Sequence, residues 1–195
     1  LDTTLSGGGG NDPLTGNAGN DTLNRGDGKD TINPNGSADS IDGGAGDDIL
    51  TFSSNGNGTV ATGGTGSNIF RFLAGVVGHY LLTSQGTDTL DFSNYGSGIA
   101  LDLNSSADQD VGGGLFLQLA NFFTNVIGTV FDDAISGNSL DNDLQGGAGN
   151  DTLIQTVDAD QVLSDTSLSG QGNDTHYGFE QAVSTGGAGS DSLDA

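Results

Sequence analysis

The sequence predicts an all-β chain wound as a parallel solenoid, with two short strands to the coil. Three regularities carry that expectation: a nine-residue repeat that holds its phase, an aspartate at its sixth place, and an aliphatic residue at its eighth. From Gly7 the chain divides into five consecutive blocks, GGGGNDPLT, GNAGNDTLN, RGDGKDTIN, PNGSADSID and GGAGDDILT. The sixth places are Asp12, Asp21, Asp30, Asp39 and Asp48, and the eighth are Leu14, Leu23, Ile32, Ile41 and Leu50. A fixed short period marks a stacked architecture, in which each unit buries its apolar face only against its neighbours.

Each block reads as a turn followed by a strand. Places one to six are rich in glycine, which reaches positive φ without steric cost and lets carbonyls point inward. Places seven to nine center on one aliphatic side chain, as in a short strand with one buried face. Turn plus strand makes half a coil. Two nonapeptides, 18 residues, then complete one coil, and turns two blocks apart stack on the same side.

A second array, GTVFDDAIS, GNSLDNDLQ and GGAGNDTLI, runs from Gly128 with Asp133, Asn142 and Asp151 at the sixth place. Single copies follow as SGQGNDTHY at 169–177 and GGAGSDSLD at 186–194. Weaker copies stand at 63–71, where Asn68 replaces the aspartate, and at 83–91. Residues 72–127 are less repetitive and more apolar. Alternation over 99–103 and 115–123 reads as strand, and no helical period is sustained. The expected organisation is a first array over 1–51, degenerate β-coils or a β insertion over 52–127, a second array over 128–154, and further β-coils with isolated repeats over 155–195. The chain starts at Leu1 rather than Met, so it is expected to be processed or an excerpt of a longer protein.

Composition narrows the function. The chain has 26 acidic residues against three basic ones, a net charge of −23, and every acid except Glu180 is Asp. Low hydrophobicity at such charge describes disordered chains, but the in-phase order argues for a fold. Glu suits helices, whereas Asp beside Gly suits tight turns and short-reach oxygen ligation. With no basic patch, neither nucleic acid nor an anionic membrane surface is an expected partner. No apolar run is long enough to span a bilayer, so membrane insertion is not expected. There is no cysteine to supply a cross-link.

Stacked strands lie about 4.7–4.9 Å apart, so stacked aspartates would repel one another. A hard dication between them removes the repulsion. Calcium takes six to eight oxygens at about 2.3–2.6 Å, whereas magnesium holds its waters and demands a tighter octahedral site. The period stacks Asp12 with Asp30 and Asp48 on one side, Asp21 with Asp39 on the other, and Asp133 with Asp151 in the second array. Asp174 and Asp191, in the isolated copies, are further expected ligands without assigned partners. Asn142 is left without a complete partner.

These blocks resemble the repeats-in-toxin (RTX, hemolysin-type) nonapeptide, G-G-x-G-x-D-x-U-x with U aliphatic, a β-helix repeat that binds calcium. The resemblance implies a parallel β-roll with several Ca²⁺ ions in its Gly/Asp turns, as in large bacterial extracellular and surface proteins. It also implies carbonyl ligands from the turns, here Gly7, Gly8, Gly10, Gly26, Gly28, Gly44, Gly46, Gly128, Gly147 and Gly149, with Arg25 among the carbonyls of the second turn. Export through a type I secretion channel is implied as well. The expected function is a calcium-binding structural module of a surface, filament or adhesin protein that folds on binding calcium and can self-associate head to tail. The alternative is the β-roll tail of a secreted enzyme or toxin whose catalytic domain lies outside this chain. Within it there is no G-x-S-x-G elbow and no H-E-x-x-H, and the chain itself reads as non-enzymatic. His79 and His176 read as isolated surface or turn residues.

Overall fold

The computed structural model describes residues 1–36, 38–121, 123–155, 162–163, 167–169, 173–184 and 192–193. Every regular element among them is a strand. The turn-strand alternation sends successive strands to opposite sheets. One sheet runs through Thr4–Gly9, Thr22–Asp27, Ser40–Asp42, Thr59–Thr62, Gly78–Thr83 and Leu115–Ala120. The other runs through Pro13–Thr15, Thr31–Asn33, Ile49–Phe52, Ile69–Leu73, Thr89–Asn94, Asn125–Ile127, Asp143–Gln145 and Asn173–Tyr177. All of these neighbours are parallel. The all-β parallel solenoid expected from the period is the observed fold.

The eighth places stack into rows. Leu14, Ile32, Leu50, Phe70, Leu90, Val126 and Leu144 are paired in register along the second sheet. Leu5, Leu23, Ile41, Ala61, Leu82 and Leu119 form the facing row. Leu23, Ile32, Leu50, Ala61, Phe70, Leu82, Leu90 and Val126 are fully buried. The second-sheet row continues onto His176, which pairs with Leu144 and is buried. This corrects the reading of His176 as a surface or turn residue: it occupies an aliphatic place of the repeat. His79 is half-exposed, lies 2.8 Å from Asp108 and stacks on Phe116.

Coil length changes along the chain. Thr31 pairs with Ile49, a step of 18, but Ile49 pairs with Ile69 and Ile69 with Thr89, steps of 20. The extra residues accompany a second apolar layer. Phe52 stacks on Phe72 at 4.9 Å and Phe72 on Phe92 at 5.1 Å, with Tyr80 edge-on to the first two. Phe52, Phe72 and Phe92 are at most 1% exposed, so these coils bury far more aromatic surface than the leucine rows alone.

Within 72–127 the chain adds both regular coils and a hairpin. Gln109–Gly112 pairs antiparallel with Leu115–Ala120 at the edge of the first sheet. Val111 and Leu115 are buried, and the Tyr95 hydroxyl donates to the Gly112 carbonyl at 2.8 Å. Beyond it a third sheet, Ala100–Asp102, Ala134–Ser136, Thr152–Gln155 and Gln181–Ser184, alternates with the second.

Candidate metal centre

The glycine turns pack backbone against backbone. Gly26 and Gly44 sit at φ of +94° and +92°. A Cβ on Gly26 would lie 2.0 Å from the Gly8 carbonyl oxygen, and one on Gly44 2.1 Å from that of Gly26. Stacked carbonyls therefore come closer than any other side chain allows. Gly44→Ala adds a left-handed strain of about 1–2 kcal/mol to that clash. The expected outcome is a several-fold rise in the calcium concentration needed to fold, read by circular dichroism, with the Ca²⁺-loaded Tm lowered.

The sixth places form a ladder. The Asp12 N–H donates to Asp30 Oδ1 at 2.7 Å, and the Asp30 N–H to Asp48 Oδ1 at 2.8 Å. The Asp21 N–H donates to Asp39 Oδ1, and the Asp133 N–H to Asp151 Oδ1, both at 2.8 Å. One carboxylate oxygen of each acceptor thus ties two coils together. The other oxygen is left over. Among the described residues, Oδ2 of Asp12, Asp30, Asp39, Asp48, Asp88, Asp151 and Asp174 is buried with no hydrogen-bond partner. A buried ionised oxygen without a partner is costly, so these atoms call for a cation.

Burial acts on their titration. It pushes Asp39, Asp48 and Asp174 up to about 6, helped by neighbouring carboxylates. Burial also raises Asp88, Asp133 and Asp151. Asp21 behaves differently. Burial raises it, but hydrogen bonds from the Thr3 hydroxyl and the Asn17 and Thr3 N–H groups prevail and hold it below the usual carboxylate value. Asp133 Oδ2 is likewise occupied, by the Thr129 N–H at 2.6 Å.

The donor set is all oxygen. Among the described residues no three His, Cys, Asp or Glu side chains gather around one point. An ion here must therefore draw on carbonyls as well as on paired aspartates. That is the chemistry of a hard cation that accepts mixed carboxylate and carbonyl coordination, and it fits calcium. The atoms that would hold it are the unpartnered Oδ2 atoms and the carbonyls of the adjoining turns. Such an ion would neutralise the stacked carboxylates and clamp successive coils.

The structure brings together the expected stacks Asp12/Asp30/Asp48, Asp21/Asp39 and Asp133/Asp151. Gly10, Gly28, Gly46, Gly128, Gly147 and Gly149 lie in the turns beside these stacks, whereas Gly7 and Gly8 fall within the strand Thr4–Gly9 and Gly26 within Thr22–Asp27; Gly7 and Gly128 sit against Asp12 and Asp133 Oδ2. Asn142 does have a partner, correcting the sequence reading: its N–H donates to Asp174 Oδ1 at 2.9 Å. Asp191 lies outside the described residues. Asp88 joins the same ladder: it stands at the sixth place of TSQGTDTLD, but the 20-residue coil moves it out of the 18-residue phase. Glu180 accepts from the Asp151 N–H at 2.7 Å across 29 residues, a spacing with no repeat signal. Arg25 is also unexpected. Its side chain is buried and donates to the carbonyls of Asp12 and Thr31, an internal positive charge near Asp30, Asp12 and Asp48.

A family model for the RTX calcium-binding nonapeptide repeat, in four copies, matches residues 2–32, 35–60 and 127–154. The chain carries RTX calcium-binding repeats. RTX repeats hold several Ca²⁺ ions in Gly/Asp-rich turns, and the repeat is a structural calcium-binding module rather than a catalytic one. The matched segments contain all the aspartates whose ladder steps by 18 residues. No curated protein matches the chain.

Proposed function

We propose that this chain is an extracellular, calcium-folded structural module of a bacterial surface, filament or adhesin protein. The observation that carries the reading is the set of buried, unpartnered Asp Oδ2 atoms in stacked turns. They make the fold depend on calcium, and extracellular modules typically bind it at about 10⁻⁴–10⁻³ M. Such a chain stays extended where calcium is scarce and folds where it is abundant.

The sheet edges support self-association. Among the described residues, the strand Thr4–Gly9 pairs with Thr22–Asp27 alone. An open edge is a template for another strand, and the ladder of aspartate-bearing turns can continue across it. In millimolar calcium, sedimentation velocity is expected to show assembly that grows with protein concentration and disappears with chelator. A calcium-loaded chain that stays monomeric over the whole range would overturn the filament part of the reading.

A further inference from the structure

The row of calcium turns on the Asp12 side has a built-in break. Asn68 is fully buried and stands where the next ladder aspartate belongs. Its Oδ1 accepts the Asp48 N–H at 2.9 Å, as Asp48 Oδ1 accepts that of Asp30. The turn beneath keeps the calcium-turn backbone: Gly64 and Gly66 sit at φ of +82° and +122°, against +92° and +128° for Gly44 and Gly46.

The difference lies in one atom. A Cβ on Gly43 would lie 2.7 Å from Asp48 Oδ2, and one on Gly63 2.7 Å from Asn68 Nδ2. The amide nitrogen thus occupies the place of the orphan oxygen. It donates to the Gly64 carbonyl at 3.2 Å and to Asp88 Oδ1 at 2.9 Å. Both neighbours require this orientation, because the Asp48 N–H needs an acceptor and the Gly64 carbonyl needs a donor.

We infer that the Asn68 amide takes over the cation's role at this step, so that the calcium row on the Asp12 side is interrupted after Asp48, before the ladder resumes at Asp88. The N–H₂ group turns positive hydrogens toward oxygens that a metal would otherwise hold, and a cation beside it is repelled. The same coils carry the Phe52, Phe72 and Phe92 stack. Cohesion passes there from metal to aromatic packing.

This inference rests on the calcium reading above, and counting bound ions tests it. Calcium stoichiometry is measured by equilibrium dialysis on the full chain, its Asn68→Asp variant and its Asn68→Leu variant. Asn68→Asp restores a carboxylate to an intact cradle and is expected to bind one more ion than the wild type. Asn68→Leu removes the amide and any ligand oxygen, and is expected to keep the wild-type count. An Asn68→Asp count equal to wild type, or failure of that variant to fold in saturating calcium, overturns the inference. So does the loss of one ion in Asn68→Leu, which would make Asn68 Oδ1 a ligand. A wild type that binds no calcium at all would instead sink the parent reading.

Discussion

Stripping calcium at pH 7 is expected to abolish most of the strand signal in far-ultraviolet circular dichroism, and adding it back to restore that signal where magnesium does not. Three terms point the same way. The chain carries a net charge of −23, and a compact state concentrates that self-repulsion. The repeat coils bury one aliphatic side chain per half-coil, a thin return for ordering glycine-rich backbone at about 1–2 kcal/mol per residue. The unpartnered Oδ2 atoms of Asp30, Asp39, Asp48 and Asp151 add the cost of buried oxygens that accept no hydrogen bond, and of these four only Asp30 and Asp48 have the Arg25 charge nearby. Ions that bind only the folded chain reverse the balance. At a free concentration of 100 times Kd each site contributes about 2.7 kcal/mol, so three such sites approach the whole stability of an ordinary domain, about 5–15 kcal/mol. Hydrogen exchange is expected to show the last protection in the coils of Phe52, Phe72 and Phe92. A stripped sample that keeps its full spectrum and melts unchanged would refute the calcium dependence.

Acid should partly replace the metal. In the calcium-free chain, burial and neighbouring carboxylates raise Asp39, Asp48 and Asp174 from 3.8 to about 6, and burial raises Asp88, Asp133 and Asp151 as well. A folded-state value above the unfolded one means that the fold prefers the protonated group. The stability this confers is complete below about 3.8 and is lost as pH rises through about 6. Asp21, held low by its hydrogen bonds, works in the opposite sense and weakens the acid form. The calcium-free chain at pH 4.5 is therefore expected to regain strand signal absent at pH 7.5. Calcium meets the reverse demand, because it needs the carboxylates ionised. Its affinity should fall about fivefold per titrating ligand between pH 6 and pH 5, as the ionised fraction of a group titrating at about 6 drops. Equal calcium-free spectra at both pH values would contradict this account.

Much of the site is legible in the sequence. The in-phase aspartates stack as their period requires, because an 18-residue coil places residues i and i+18 one above the other, as with Asp12 and Asp30. The apolar eighth places stack for the same reason. Legibility fails where the coil length changes. Asp88 and Glu180 join the ladder at separations of 20 and 29 residues from their partners, Asn68 and Asp151; the block at 83–91 marks Asp88 but an 18-residue step does not pair it, and no repeat marks Glu180. His176 was misread because a polar residue in an aliphatic place carries no apolar signal, although the repeat phase had already assigned its face.

The sequence by itself determined the solenoid, the two facing apolar rows, the stacked aspartates and the preference for a hard oxygen-seeking cation. All four follow from local chemistry repeated at a constant period. Only the tertiary structure decided which carboxylate oxygens are consumed by the ladder and which remain for an ion. It alone showed that Arg25 turns its charge inward, that the Asn68 amide fills the place of an orphan oxygen, and that a stack of phenylalanines takes over where the coil lengthens. These depend on what each side chain meets in the next coil, and that neighbour is set by coil length rather than by the residues on either side in the chain.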